Sequence, residues 1–194
     1  MKFLTGAVCA LAVTTSAALA GGHANWSSVD DQSSVAFGSV KNDDFGEVHH
    51  FTKVTGTVSE TGKLEISIDL ASVQTNIDIR NERMIEYVFK AAGPTAVISG
   101  QIDMESLAAL ETGDTMISEI EADLSYAGTE NTIDAAMLIA RLGEDRVLVT
   151  TADFIMLSTA DLGLTAGIDK LMDLASLDGI TRVTPVAVRM VFEK

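Results

Sequence analysis

Apolar and polar residues alternate along most of this chain, as they do in β-strands. In KLEISIDLASV every second residue from Leu64 to Leu70 is apolar, and ISEIEADLSYAG repeats this pattern from Ile120 to Tyr126. Because successive side chains of a strand point to opposite faces, both segments are predicted to be strands with one solvated face. Weaker alternation predicts six further strands, at 34–41, 50–59, 96–103, 132–141, 146–155 and 182–193.

Short polar segments that contain glycine separate several of these strands. The clearest are SETGK, AGTEN and LGED, which are suited to connecting antiparallel neighbours. Apolar stripes at helical spacing predict three short helices, which begin near Met84, Met104 and Ile168. The elements therefore form a meander of eight strands with a few helical connections.

Such a meander predicts an all-β protein whose antiparallel sheet closes into an eight-stranded up-and-down barrel with short capping helices. Closure removes the exposed edges that an open sheet would leave, and a β-sandwich is the alternative. An eight-stranded barrel either fills its interior with side chains or holds one small ligand. Only seven Phe, two Tyr and one Trp are available to fill it, which favours a ligand, although alternation alone does not distinguish a hollow from a packed core.

Regular alternation of strand direction brings several charged residues to one end of the predicted barrel. The connections that follow every second strand would lie at this rim. They would bring together Lys41, Glu47, His49, Arg80 and Arg83. One interpretation is that the arginines pair with neighbouring carboxylates, and such surface ion pairs contribute roughly 0 to 1 kcal/mol each. The other is that the guanidinium donors hold the polar end of a bound lipid.

The first twenty residues have the pattern of a cleaved secretory signal peptide. MKFLTGAVCALAVTTSAALA combines one lysine, an apolar run and a small-residue ending, which predicts cleavage after Ala20 and leaves 21–194 as a single domain. An uncleaved anchor is the alternative. Cys9, the only cysteine of the chain, lies in this segment, so the predicted mature protein has neither a disulfide nor a thiolate site.

Charge and motifs exclude several classes of function. The net charge of −15 opposes binding to nucleic acid and to anionic membranes. No nucleophile elbow, dinucleotide fingerprint, P-loop, zinc-protease or EF-hand pattern is present. His49 and His50 are adjacent on a predicted strand and point to opposite faces, so they do not share a metal. A zinc site that uses one of them with Glu47 or Asp44 is the weaker alternative, and we expect no metal and no catalysis.

Several longer stretches resemble the YceI-like family of lipocalin-like proteins. The resemblance rests on Trp26 followed by SSVAF, on FGEVHHFTKVTGTV, on IDLASVQTNIDIRNERM and on FKAAGPTAVISG, with looser matches at LSYAGTENTI and STADLGL. The chain departs from the common family form between Arg80 and Met84, and Gly93–Pro94 replaces the usual Tyr-Pro pair. The resemblance extends over nearly the whole predicted mature chain.

This resemblance implies a lipocalin-like barrel in the bacterial periplasm that holds a long isoprenoid or quinone-like lipid, for transport or storage, without catalysis or another cofactor. Lys41, His49, Arg80 and Arg83 are expected at the polar end of the ligand. The lumen and its lid are expected to include Phe37, Phe51, Ile66, Ile68, Leu70, Met84, Val88, Phe89, Phe154, Leu164 and Met172.

Two other functions stay open. The barrel would be a non-catalytic partner subunit of a membrane redox or envelope-stress system if its lumen were simply packed core. It would be an enzyme that acts on a bound lipid if His49 and Glu47 took part in the chemistry. Transient contact with a membrane or a membrane protein is compatible with the carrier hypothesis, and the sequence leaves the oligomeric state open.

Overall fold

The computed structural model describes residues 24–89 and 95–194, so the predicted signal peptide lies outside the described residues. The strands are β1 (Ala24–Ser28), β2 (Ser34–Lys41), β3 (Phe45–Phe51), β4 (Val54–Ser59), β5 (Lys63–Asp69), β6 (Val73–Gln74), β7 (Thr95–Gln101), β8 (Thr115–Tyr126), β9 (Thr129–Gly143), β10 (Arg146–Thr151), β11 (Ile155–Ser158) and β12 (Val183–Glu193). The helices are α1 (Asp78–Arg83), α2 (Met104–Ala109) and α3 (Thr165–Ala175), with 3₁₀ turns at Asp30–Gln32 and Leu70–Ser72 and a π-helical turn at Met84–Phe89. None of the helices in these two ranges is long and apolar enough to cross a membrane.

The strands close into an antiparallel barrel. Around the barrel, β4 is followed by β5, β7, β8, β9, β10, β12, β2 and β3. The chain closes the circle because β12 pairs with both β1 and β2, while β1 pairs with β4 and β2 pairs with β3. Since β1 continues into β2 and β3 into β4, the circle has eight positions, and the predicted eight-stranded barrel is confirmed.

Two predicted strands are interrupted, each for a local reason. The strand predicted at 50–59 is two strands, β3 and β4, because the backbone N–H groups of Thr52 and Lys53 donate to Ser72 Oγ at 3.1 and 3.0 Å instead of to a neighbouring strand. The strand predicted at 146–155 ends at Thr151, and the chain bends before β11 begins at Ile155. Alternation in the sequence marks the faces correctly but misses these bends.

The interior contains the apolar residues that alternation assigned to it. On β5 the buried residues are Leu64, Ile66 and Ile68, and on β12 the buried residues include Val186, Val188, Met190 and Phe192. Full burial of such a side chain stabilises the fold by about 1.5–3 kcal/mol relative to leaving it exposed. The same faces therefore hold the barrel together and form the walls of its lumen.

The two ends of the barrel are built differently. At one end α2 closes the lumen by burying Leu107, and Asp103 caps this helix by accepting from the backbone N–H groups of Glu105 and Ser106. At the other end α1, the π-helical turn and α3 lie over the lumen. There the helical turn buries Met84, Val88 and Phe89, and α3 buries Ile168. This second end carries the candidate site.

Candidate ligand-binding cavity

A cavity of about 490 Å³ occupies the lumen beneath α1, the π-helical turn and α3. Most of its wall is apolar, from strand residues such as Ile68 and Leu124 and from lid residues such as Met84. Ile77 and Ile79 also line it and are 45% and 51% exposed, so the cavity reaches the surface beside the start of α1. The arrangement is a pocket with an apolar interior that opens to the surface.

Aromatic rings form one side of this wall. Phe37 on β2 and Phe51 on β3 stack with ring centroids 5.2 Å apart, and Phe89 of the π-helical turn meets the Phe51 ring edge-on at 5.5 Å. Such pairs stabilise a fold by about 0.5–1.5 kcal/mol beyond their area of burial. They join the lid to the barrel wall.

Charged side chains are grouped at one part of the lining. Glu47 Oε2 accepts from Arg80 Nη1 at 2.8 Å and from Lys41 Nζ at 3.2 Å. Partial burial raises the pKa of Glu47, but the hydrogen bonds from Arg80 and Lys41 and their positive charges outweigh it and hold the pKa below its usual value. The carboxylate is therefore ionised at neutral pH and neutralises part of the positive charge of the two cations.

The loop before α1 fixes the position of Arg80. Arg80 Nη2 donates to the carbonyl of Thr75 at 2.6 Å. Thr75 is almost fully buried, and Asn81 Oδ1 accepts from its backbone N–H at 2.8 Å and from its hydroxyl at 2.6 Å. The guanidinium thus belongs to a network that connects β3, β6 and α1, in addition to facing the cavity.

His49 is the most buried polar residue of the lining, at 3% exposure. Its Nε2 lies 3.1 Å from Ser39 Oγ, and its ring lies 5.2 Å from that of Phe37. Burial, followed by the positive charge of Arg80, lowers the pKa of His49 from 6.5 to about 4. The imidazole is therefore neutral at physiological pH and acts as a hydrogen-bonding group, not as a cation.

The structure brings together twelve of the fifteen residues that the sequence nominated. The apolar ones on this cavity are Phe37, Phe51, Ile68, Leu70, Met84, Val88, Phe89 and Leu164, and the polar ones are Lys41, His49, Arg80 and Arg83.

Three nominated residues lie elsewhere. Ile66 points into the lumen but below this cavity, in a separate apolar chamber of about 90 Å³. Phe154 is 70% exposed, because Val147, Val149 and Ile155 take the inward positions of this stretch and alternation from them puts residue 154 on the outer face. Met172 is on α3, but its Sδ lies 3.2 Å from Arg182 Nη2 and it does not line the cavity. Phe154 was therefore wrongly assigned to the lumen, whereas Met172 is on a lid helix but does not line the cavity.

Sequence reasoning missed several lining residues. One of them is Tyr126. Its inward position was predictable, because it lies two residues after the inward Leu124 on β8. Ile98, Ile133, Ile155 and Val188 line both chambers and form the partition between them. Alternation gives the face of a strand on which a residue lies, but not its position along the barrel axis. The partition between the two chambers was therefore not predictable from the sequence.

Metal-binding groups do not converge in this region. Within residues 24–89 and 95–194, no three His, Cys, Asp or Glu side chains are placed to hold a metal ion together. His50 is exposed while His49 is buried, as expected for adjacent strand residues on opposite faces. The described geometry provides an apolar pocket with polar groups at a few points.

Comparison with known proteins gives consistent results. A model of the YceI-like domain matches residues 26–180 of this chain. The structure of a polyisoprenoid binding domain from Saccharophagus degradans, implicated in plant cell wall breakdown, is similar at 32% identity with a TM-score of 0.85, over 88% of this chain and 99% of that one. BcnA from Burkholderia cenocepacia has the same fold at 15% identity, with a TM-score of 0.63, over 84% of this chain and 97% of that one. Among curated proteins, no match was found.

Proposed function

Because this chain belongs to the YceI-like domain family, we propose that it binds a long isoprenoid or quinone-like lipid inside its barrel. The observation that carries the proposal is the largely apolar cavity of about 490 Å³ that opens beside α1. This volume is within the range of about 300–1,000 Å³ that is typical of small-molecule sites. The similar domain from S. degradans is described as polyisoprenoid binding, which supports a ligand of the same class here.

The energetics favour a long apolar ligand. Each buried CH₂ contributes roughly 0.8 kcal/mol, so a chain of about 20 carbons gains on the order of 16 kcal/mol before ordering costs are subtracted. Such a molecule is sparingly soluble in water and needs a protein to cross an aqueous compartment. The role that fits is a carrier or store for the lipid, and the secretory pattern of residues 1–20 supports a periplasmic location.

We further propose that binding is not accompanied by catalysis. His49 is buried and its pKa is lowered to about 4, so it is a weak base, and Glu47 is engaged by two cations. The alternative of a partner subunit with a packed core requires a filled lumen, whereas this lumen holds an open cavity. The carrier hypothesis therefore has more support than either alternative.

Filling the cavity tests this proposal. Leu171 lines the cavity from α3, while Asp173 is exposed on the same helix. With purified protein and geranylgeraniol as the probe, Leu171→Trp should weaken binding by at least about tenfold, which corresponds to about 1.4 kcal/mol. The control Asp173→Trp should bind as tightly as the wild type. Equal affinity of all three proteins, with the folds intact by circular dichroism, would show that the lumen is not the binding site.

A further inference from the structure

Three residues on the wall of the cavity carry buried polar atoms that have no hydrogen-bond partner in the described part of the chain. Three buried atoms on its wall accept or donate no hydrogen bond there: His49 Nδ1, Arg80 Nε and Tyr126 Oη. An unpaired buried polar group destabilises the fold, so native proteins rarely leave one without a reason. The concentration of three such atoms around one cavity points to a ligand that has polar atoms of its own.

Tyr126 is the clearest of the three. It ends β8, it is only 5% exposed, and it lines the cavity together with Leu124. Burial raises the pKa of Tyr126 to about 12, so the phenol keeps its proton at physiological pH. Buried tyrosine hydroxyls usually find a hydrogen-bond partner. This hydroxyl is therefore a buried donor without an acceptor in the described residues.

His49 provides a second polar point on a different wall. Its Nε2 is engaged by Ser39, and whichever tautomer is present, Nδ1 stays unmatched within the described residues. Around the barrel, β5 and β7 lie between the strand that carries His49 and the one that carries Tyr126. The two residues with unpaired neutral groups therefore stand on different parts of the cavity wall.

The phenol of Tyr126 keeps its proton and the imidazole of His49 is neutral, so both groups suit an uncharged head group. Arg80 is already committed to Glu47 and to the Thr75 carbonyl. Moving an ion into a mainly apolar cavity is costly unless a counter-ion is in direct contact. Resting on the proposed lipid-binding function, we propose that Tyr126 selects ligands that carry an uncharged acceptor oxygen inside the cavity, with His49 as the second contact to that head group.

The test compares two probes that differ in one oxygen. Farnesylacetone is a prenyl ketone that only accepts hydrogen bonds, and the matching hydrocarbon replaces its carbonyl with CH₂. Tyr126→Phe should weaken ketone binding by about 2- to 12-fold, the range expected for one net hydrogen bond. It should leave hydrocarbon binding unchanged. Tyr87, the only other tyrosine, does not line the cavity, so Tyr87→Phe should change neither affinity.

Stability of the ligand-free protein provides a second readout. Removing a hydroxyl that has no protein partner should leave the unfolding midpoint of Tyr126→Phe unchanged or slightly higher. A fall of the midpoint would mean that the hydroxyl has a structural partner, and equal loss of both probes, or loss of neither, would overturn the selection proposed for Tyr126. If the wild type bound neither probe, the proposed function would fail together with this inference.

Discussion

At the scale of single residues, Glu47 organises the polar part of the cavity. It accepts from two cations that come from different elements, Lys41 at the end of β2 and Arg80 in α1. A charge-assisted pair in a partly buried position is stronger than an exposed one. By comparison, Lys53 and Asp69 are 3.9 Å apart with the lysine side chain 75% exposed, so that pair contributes little. Glu47 thus links the β2–β3 hairpin to the first part of the lid.

The neutral, buried His49 makes stability depend on pH. The unfolded chain binds a proton at this residue near pH 6.5, whereas the folded chain resists protonation until about pH 4. Stability is therefore fully present above about pH 6.5 and is lost as the pH falls toward 4. Between pH 7.5 and pH 5, the free energy of unfolding should fall by about 2 kcal/mol through this residue alone.

Urea unfolding at these two pH values measures the effect. His49→Gln should reduce the pH dependence by the amount given above, while His50→Gln should leave it unchanged, because His50 is exposed. Glu47 adds loss of stability only at lower pH, since its pKa is held below the usual carboxyl value. An unchanged pH dependence in His49→Gln would contradict the burial of a neutral imidazole.

At the scale of elements, the lid depends on a close approach between α3 and the π-helical turn. A Cβ placed on Gly167 would lie 2.5 Å from the Tyr87 carbonyl oxygen and 2.7 Å from Val88 Cα, and both of these are backbone atoms. Backbone atoms do not move aside as a flexible side chain does. Glycine at this position therefore lets the two lid elements pack directly against each other over the cavity.

Replacing this glycine should open or destabilise the lid. Alanine favours a helix over glycine by about 1 kcal/mol, but overpacking costs about 1–3 kcal/mol, so Gly167→Ala should lower the free energy of unfolding or the affinity for geranylgeraniol. Gly179→Ala is the control, because nothing lies within 4 Å of its Cβ position. A Gly167→Ala protein that is more stable than the wild type and binds the probe unchanged would refute the close packing.

The sequence predicted the strands well and their interruptions poorly. Inward residues such as Ile68 and Val188 were identified because alternation reports the face of a strand directly. The break at Thr52 and Lys53 depends on a hydroxyl from Ser72, twenty residues away, and local patterns do not carry that information. The position of Phe154 was predicted wrongly although alternation from the inward Val147 and Val149 puts residue 154 on the outer face.

At the scale of the whole molecule, the charge distribution separates the cavity from the surface. The chain carries 28 acidic residues against 13 Lys and Arg, yet Lys41, Arg80 and Arg83 all line one cavity with a single carboxylate from Glu47 among them. The excess of acidic residues opposes contact with anionic membranes. Composition alone gives the excess of acidic residues. Only the closed barrel brings the cations of distant segments to one place.

Whether the barrel is hollow was beyond sequence reasoning. The same inward apolar residues form a packed core or a cavity wall, depending on how far the opposite walls are apart. Here the lower chamber is nearly filled, at about 90 Å³, and the upper cavity of about 490 Å³ is not. The two chambers are separated by side chains from distant segments, such as Ile133 and Val188, which line both of them.

Native mass spectrometry of the protein purified from its own host shows directly whether the barrel carries an isoprenoid lipid. We expect one additional mass per chain, from a bound molecule that dissociates on denaturation and fragments into isoprene units. Leu171→Trp, produced in the same way, should carry much less of it, and Asp173→Trp should carry as much as the wild type. If only the unliganded mass were found repeatedly, under conditions in which the S. degradans domain retains its ligand, the proposal that this barrel binds a lipid would be wrong.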